Sequence, residues 1–174
     1  MAEKNLKDLL FHTLKDVYFA EHAILKALPK MAQAPEHAEL KKAFEVHRAQ
    51  TEQQVRRLDD VFALLNQKPQ AEPRRAIQGI IAEGQEVMET VAGGPALDAG
   101  LIAAAQAVEH YEIARYGALR SWAELAGLDD AADLPDETPA EEKATDVKLT
   151  ELAEEQANLE SARAGGDVAS ASER

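Results

Sequence analysis

Apolar residues recur at intervals of three and four along four long stretches of the chain, which is the spacing of one face of an α-helix. Segments rich in Pro, Gly and polar residues separate these stretches. The pattern predicts long helices over about 5–34, 36–67, 96–126 and 139–164, with a shorter helix over about 74–91. Ala, Leu, Glu and Lys dominate the composition and leave little β-branched content for sheets, so the sequence predicts an all-α protein.

Several residues predict where these helices begin and end. Asn5 is a suitable N-cap for the first helix, and Thr138 with Glu141 has the spacing of a capping box before the last. Gly127 is a suitable stop for the third long helix. Pro29 lies inside the first pattern and predicts a kink or a break there, because proline removes a helical hydrogen bond.

The order of the helices indicates how they pack. Two helical hairpins are joined by a long connection that carries the short helix, which is typical of a ferritin-like four-helix bundle. An up-down-up-down bundle would need only a short loop at that join. We therefore predict one ferritin-like domain over residues 1–164 and a disordered tail over 165–174, where Gly, Ser and Ala predominate.

The inward faces of the four long helices carry polar side chains at positions where a bundle core is normally apolar. These candidate metal ligands are Glu21 on the first helix, His47 and Gln50 on the second, Glu109 and Glu112 on the third, and Glu142 and Asp146 on the fourth. Burying unpaired carboxylates costs several kcal/mol each. The pattern therefore predicts that bound cations neutralise them.

The residue types indicate which cations suit the site. Five carboxylates and one imidazole can compensate most or all of the charge of two divalent ions. Ferritin-like sites take one Glu from each of two helices and a Glu-x-x-His pair from each of the others, although the second helix here lacks that order. The ligand set favours iron or manganese over magnesium, and zinc stays an alternative.

Composition narrows the class of protein further. The formal charge of −13 argues against a nucleic-acid partner and against binding to anionic membranes. The chain has no cysteine, so disulfides and thiolate metal sites are excluded. The polar first residues and the lack of an apolar run of about 20 residues favour a soluble, cytoplasmic protein.

Four segments carry a resemblance to a known family. The segments over 16–21, 26–31, 101–113 and 141–150 resemble the YciE/YciF family, and the run Ala-Ala-Gln-Ala-Val-Glu-His-Tyr-Glu is the most specific of them. The resemblance covers about residues 5–153. It implies a fold similar to ferritins and rubrerythrins, a role in bacterial stress responses, and a homodimer.

The resemblance also implies the same seven metal positions, with one departure. Some relatives carry Glu where this chain has Gln50, and glutamine offers a carbonyl oxygen without charge. The leading hypothesis is a di-iron or di-manganese protein that handles oxygen or peroxide. The alternatives are a non-enzymatic stress or scaffold dimer with a degenerate metal site, which Gln50 favours, and iron storage, which rests on fold analogy alone.

Overall fold

The protein is all-α throughout the residues that its computed structural model describes, which are 5–133, 137–158 and 160. The elements are α1 (Leu6–Gln33), α2 (Ala38–Leu64), α3 (Arg75–Thr90), α4 (Pro95–Leu125), α5 (Asp129–Asp133) and α6 (Thr138–Leu152), followed by a π-helical segment over Ala153–Ala157. The predicted disordered tail over 165–174 and the predicted helix end near 164 lie outside the described residues.

The first helix begins where the sequence predicts and passes through its proline. Asn5 accepts a hydrogen bond from the backbone N–H of Asp8, and the Asp8 carboxylate accepts one from the backbone of Asn5, which completes a capping box. Helix α1 does not break at Pro29 but continues to Gln33. Only the final turn lies beyond the proline, so few hydrogen bonds depend on it.

The prediction that Thr138 and Glu141 form a capping box at the start of the last helix is wrong. Helix α6 begins at Thr138 itself, after Glu137, and no side chain of the described residues caps it. The Thr138 hydroxyl accepts a hydrogen bond from Arg57 at 3.2 Å, and the same guanidinium binds Glu141 at 2.6 and 2.8 Å. A charge-assisted hydrogen bond is roughly twice as strong as a neutral one. The side chains of Thr138 and Glu141 therefore bind Arg57 instead of the backbone N–H groups that a capping box would use.

The four long helices form the predicted bundle. Helix α1 packs against α2, and α4 packs against α6, so each hairpin is made of consecutive long helices. The long connection over 65–94 carries α3, which packs on α4 and α1. This arrangement confirms the ferritin-like four-helix bundle with a helix-bearing crossover. No described helix combines the length and the apolar character that a membrane span requires.

A buried polar layer separates two apolar clusters of the core. Along α1, Val17 belongs to one cluster and Ile24 to the other, and buried Glu21 lies between them. Helix α2 repeats the arrangement, because Phe44 and Leu58 belong to different clusters and buried polar residues lie between them. Apolar packing above and below therefore fixes the helices that hold the polar layer.

The two hairpins are joined at one end by a buried carboxylate. Asp98, near the start of α4, accepts hydrogen bonds from the backbone N–H groups of Glu36 and His37, each at 3.0 Å. Glu36 in turn accepts a 3.0 Å bond from the backbone of Gly94. Asp98 thus satisfies the free N–H groups just before α2 and ties that helix to α4.

Candidate metal centre

Four of the predicted ligands form one compact group in the polar layer. His47 from α2, Glu109 and Glu112 from α4, and Glu142 from α6 each offer one ligand atom, and these atoms lie within 4.8 Å of one another. All four side chains are buried. The His47 Nε2 atom lies 3.5 Å from Glu109 Oε1, and its Nδ1 atom lies 4.0 Å from Glu142 Oε2.

Glu21 adds a fifth carboxylate from α1. Its side chain is fully buried, and its Oε1 atom accepts a hydrogen bond from the Tyr116 hydroxyl. The charges of Glu142 and Glu141 act on Glu21 in the direction that raises its pKa, and Glu21 does the same to Glu112. Side chains from all four long helices therefore interact in the polar layer.

The structure places Gln50 and Asp146 outside the compact group of four. Both are only partly buried. Gln50 Oε1 accepts from the Thr145 hydroxyl at 3.5 Å, while Asp146 accepts from Gln106 at 3.0 Å and lies 3.5 Å from His110 Nε2. Their role as metal ligands stays a prediction. Asp146 nonetheless adds negative charge that raises the pKa of nearby Glu109.

Burial favours the uncharged form of each of these groups when no cation is present. Desolvation lowers the pKa of His47 to about 4, so its imidazole is neutral at pH 7. Desolvation raises the pKa of Glu21 to about 8, although the hydrogen bond from Tyr116 acts in the opposite direction. The pKa values of Glu109, Glu112 and Glu142 are also raised, first by burial. Neighbouring carboxylate charges raise the pKa further at Glu109 and Glu112.

The same residues carry ligand atoms that lack hydrogen-bond partners within the described part of the chain. These buried atoms are Glu21 Oε2, His47 Nδ1, Glu109 Oε2, both oxygens of Glu112, and Glu142 Oε2. A buried polar atom without a partner costs about 1–3 kcal/mol. Neutral imidazole and carboxylate oxygen are suitable ligands for iron, manganese and zinc. The residues present therefore fit a divalent cation.

Two residues that sequence reasoning did not select support the group from outside. Gln54 is fully buried, and its amide donates to Glu142 Oε1 and, at 3.2 Å, to Glu141 Oε2. Arg57 also binds Glu141, donating to both of its carboxylate oxygens. The available signal was spacing, because Gln54 follows His47 by seven residues and so lies on the same helix face.

The fold and the polar layer together define a ferritin-like bundle with a histidine- and carboxylate-rich centre. The sequence model of the family described as "Domain of unknown function (DUF892)" matches residues 5–162, and the chain belongs to this family. It is 45% identical to Protein YciF of Escherichia coli (strain K12) over 154 residues, which are 88% of this chain and 93% of that protein. The resemblance to the YciE/YciF family is thereby confirmed.

Solved structures agree with this assignment. The crystal structure of the E. coli stress protein YciF matches with a TM-score of 0.85 and 44% identity, covering 90% of this chain and 99% of that one. YcfI from Rhodopseudomonas palustris matches with a TM-score of 0.83 and 45% identity, covering 84% and 94%. A protein from Xanthomonas campestris pv. campestris has 23% identity and a TM-score of 0.73 over 92% and 99%, which supports the fold alone.

Proposed function

We propose that this protein is a cytoplasmic stress-response protein that binds two divalent ions, iron or manganese, and handles dioxygen or peroxide. The observation that carries the proposal is the set of buried ligand atoms in the polar layer for which the described part of the chain offers no hydrogen-bond partner. Four carboxylates and a neutral imidazole, held apart from solvent, are expensive unless a cation is bound. A stress role is supported by the similarity to the E. coli stress protein YciF.

Each residue has a distinct part in this proposal. The compact group His47, Glu109, Glu112 and Glu142 would hold one ion. The second ion would draw on Glu21, whose Oε2 atom has no hydrogen-bond partner among the described residues. When bound in the reduced state, a pair of redox-active ions would supply two electrons, one from each ion, which together with two protons reduce one hydrogen peroxide to two water molecules.

The remaining residues orient the ligands and exclude water. The Tyr116 hydroxyl holds Glu21, and the Gln54 amide holds Glu142. These hydrogen bonds limit the rotamers of both carboxylates, as supporting residues commonly do at metal sites. The apolar clusters on either side of the polar layer limit its contact with bulk water.

Metal analysis of untagged protein tests the proposal. Reconstitution with ferrous or manganous ion should give about two ions per chain, and the metal-loaded protein should consume dioxygen or hydrogen peroxide. Glu112→Gln should lower metal content, whereas Glu45→Gln, on the exposed face of α2, should not. Metal content that stays well below one ion per chain after reconstitution would overturn the proposal.

A second candidate is a non-enzymatic scaffold protein with a degenerate metal site. Gln50 favours it, because its side chain contacts Thr145 and offers no charge. In that case Glu109→Ala would change the thermal stability, and neither the wild-type protein nor the variant would show enzymatic turnover. A measurable oxidase or peroxidase activity that Glu109→Ala abolishes would exclude this candidate.

We also propose that the protein is a homodimer without a nucleic-acid or membrane partner. The family resemblance supports the dimer, and the charge of −13 disfavours polyanionic partners. Analytical ultracentrifugation should give the mass of two chains at micromolar concentration. Binding to duplex DNA or to anionic vesicles at physiological salt would contradict the second part of this proposal.

A further inference from the structure

A cavity of about 70 Å³ lies where the crossover helix α3 covers the bundle. Helices α1, α2, α3 and α4 all contribute to its wall. The wall is mainly apolar and includes Ile24, Leu28, Phe44, Ile80, Met88 and Val108. His47 and Glu109 belong to the same wall, so the cavity ends against the candidate metal centre.

The cavity extends from solvent to that centre. Lys26 and Lys30 on α1 and Gln85 on α3 also line it, and all three are exposed. Elsewhere α3 lies very close to α4, since a Cβ atom added at Gly100 would lie 2.7 Å from the Cγ1 atom of Val87. The cavity is therefore a local gap in an otherwise tight helix contact.

We propose that this cavity admits and holds a small non-polar molecule, of the class of dioxygen, beside His47 and Glu109. This inference rests on the proposed function and specifies its substrate. A polar molecule such as peroxide would give up hydrogen bonds to water that an apolar wall cannot replace. An apolar wall imposes no such cost on a diatomic gas.

The size of the cavity agrees with that ligand class. Apolar cavities in proteins bind non-polar guests, and an engineered cavity of about 150 Å³ takes benzene or xenon. The present cavity has about half that volume. It therefore suits a molecule of two or three atoms better than an aromatic ring.

Xenon is a suitable probe, because it reports the cavity whether or not metal binds. Crystals of the purified protein under xenon pressure should show a xenon atom between α3 and α4, near Ile80 and Val108. Ala104→Leu, which fills the cavity from α4, should abolish this site. Ala103→Leu, at the exposed neighbouring position, is the matched control and should retain it.

Kinetics supply the second measurement. With ferrous-loaded protein, Ala104→Leu should slow oxidation by dioxygen about tenfold, which corresponds to about 1.4 kcal/mol in the barrier. Oxidation by hydrogen peroxide and the ferrous content should stay unchanged. Should Ala104→Leu fail to fold, Ala27→Leu fills the same cavity from α1.

The two proposals fail in different ways. If wild-type crystals show no xenon in this cavity, or if Ala104→Leu slows both oxidants equally, the cavity is not a route for non-polar molecules. If xenon binds as expected but no metal is taken up, the cavity inference stands as a binding site and the proposed function fails.

Discussion

The metal-free protein should become less stable as the pH rises from 6.5 to 8. In the metal-free protein burial raises the pKa of Glu21 from 4.5 to about 8 and also raises the pKa of Glu112 well above its usual value. A carboxyl group with a higher pKa in the folded chain than in the unfolded chain takes up a proton on folding. Its stabilising effect is complete below pH 4.5 and is lost as the pH approaches the folded-state pKa.

The magnitude follows from proton linkage. A group that is protonated in the folded chain and ionised in the unfolded chain lowers the free energy of unfolding by about 1.4 kcal/mol for each unit by which the pH rises. Each such carboxyl therefore lowers the free energy of unfolding by about 2 kcal/mol over this window. For a chain of this length, that is a fall of about 4–8 °C in Tm per group. His47 acts in the opposite sense only between pH 4 and 6.5, below the window.

Calorimetry of chelator-treated and metal-loaded protein provides the measurement. Bound cations keep the carboxylates ionised in the folded state, so the metal-loaded protein should lose far less stability across the window. Glu112→Gln removes one titrating group with little change in shape, and it should reduce the slope of the metal-free protein. Glu45→Gln, which is exposed, should leave the slope unchanged. A metal-free Tm that is constant or rises between pH 6.5 and 8 would refute the reasoning.

Three further substitutions test other parts of the structure. Asp98→Ala should lower the free energy of unfolding by about 2 kcal/mol in urea titrations, because two backbone N–H groups lose a charged acceptor. Gln54→Leu should weaken metal affinity about 10–100-fold in chelator competition, since Glu142 loses the amide that holds it. Gly100→Ala should cost about 1–3 kcal/mol in urea titrations, because the new Cβ atom would lie 2.7 Å from Val87 Cγ1.

Each of these substitutions has a control in the same chain. Asp60→Ala removes an exposed carboxylate and should change stability by less than about 0.5 kcal/mol. Gln53→Leu changes the exposed neighbour of Gln54 and should leave metal affinity intact. Gly117→Ala adds a Cβ atom that meets no atom of the described residues within 4 Å, so helix propensity alone should stabilise the protein by up to about 1 kcal/mol. Equal effects in a variant and its control would contradict the corresponding contact.

The sequence by itself determined the helices and the polar layer. Periodicity fixes the angle at which a residue leaves its helix, so Glu21, His47, Glu109, Glu112 and Glu142 were predicted to lie inward, and all five are buried. The ferritin-like fold followed from the same pattern, since a long connection between two hairpins allows few other packings.

Only the tertiary structure decided which inward residues meet. Gln50 and Asp146 have the same spacing as the others, yet each contacts a side chain outside the compact group. Gln54 supports Glu142, and Arg57 takes the side chains expected to cap α6. Spacing within one helix does not specify the distance to the next helix. That distance depends on how the helices cross and which charged partners compete for each side chain, and only the packed bundle determines both.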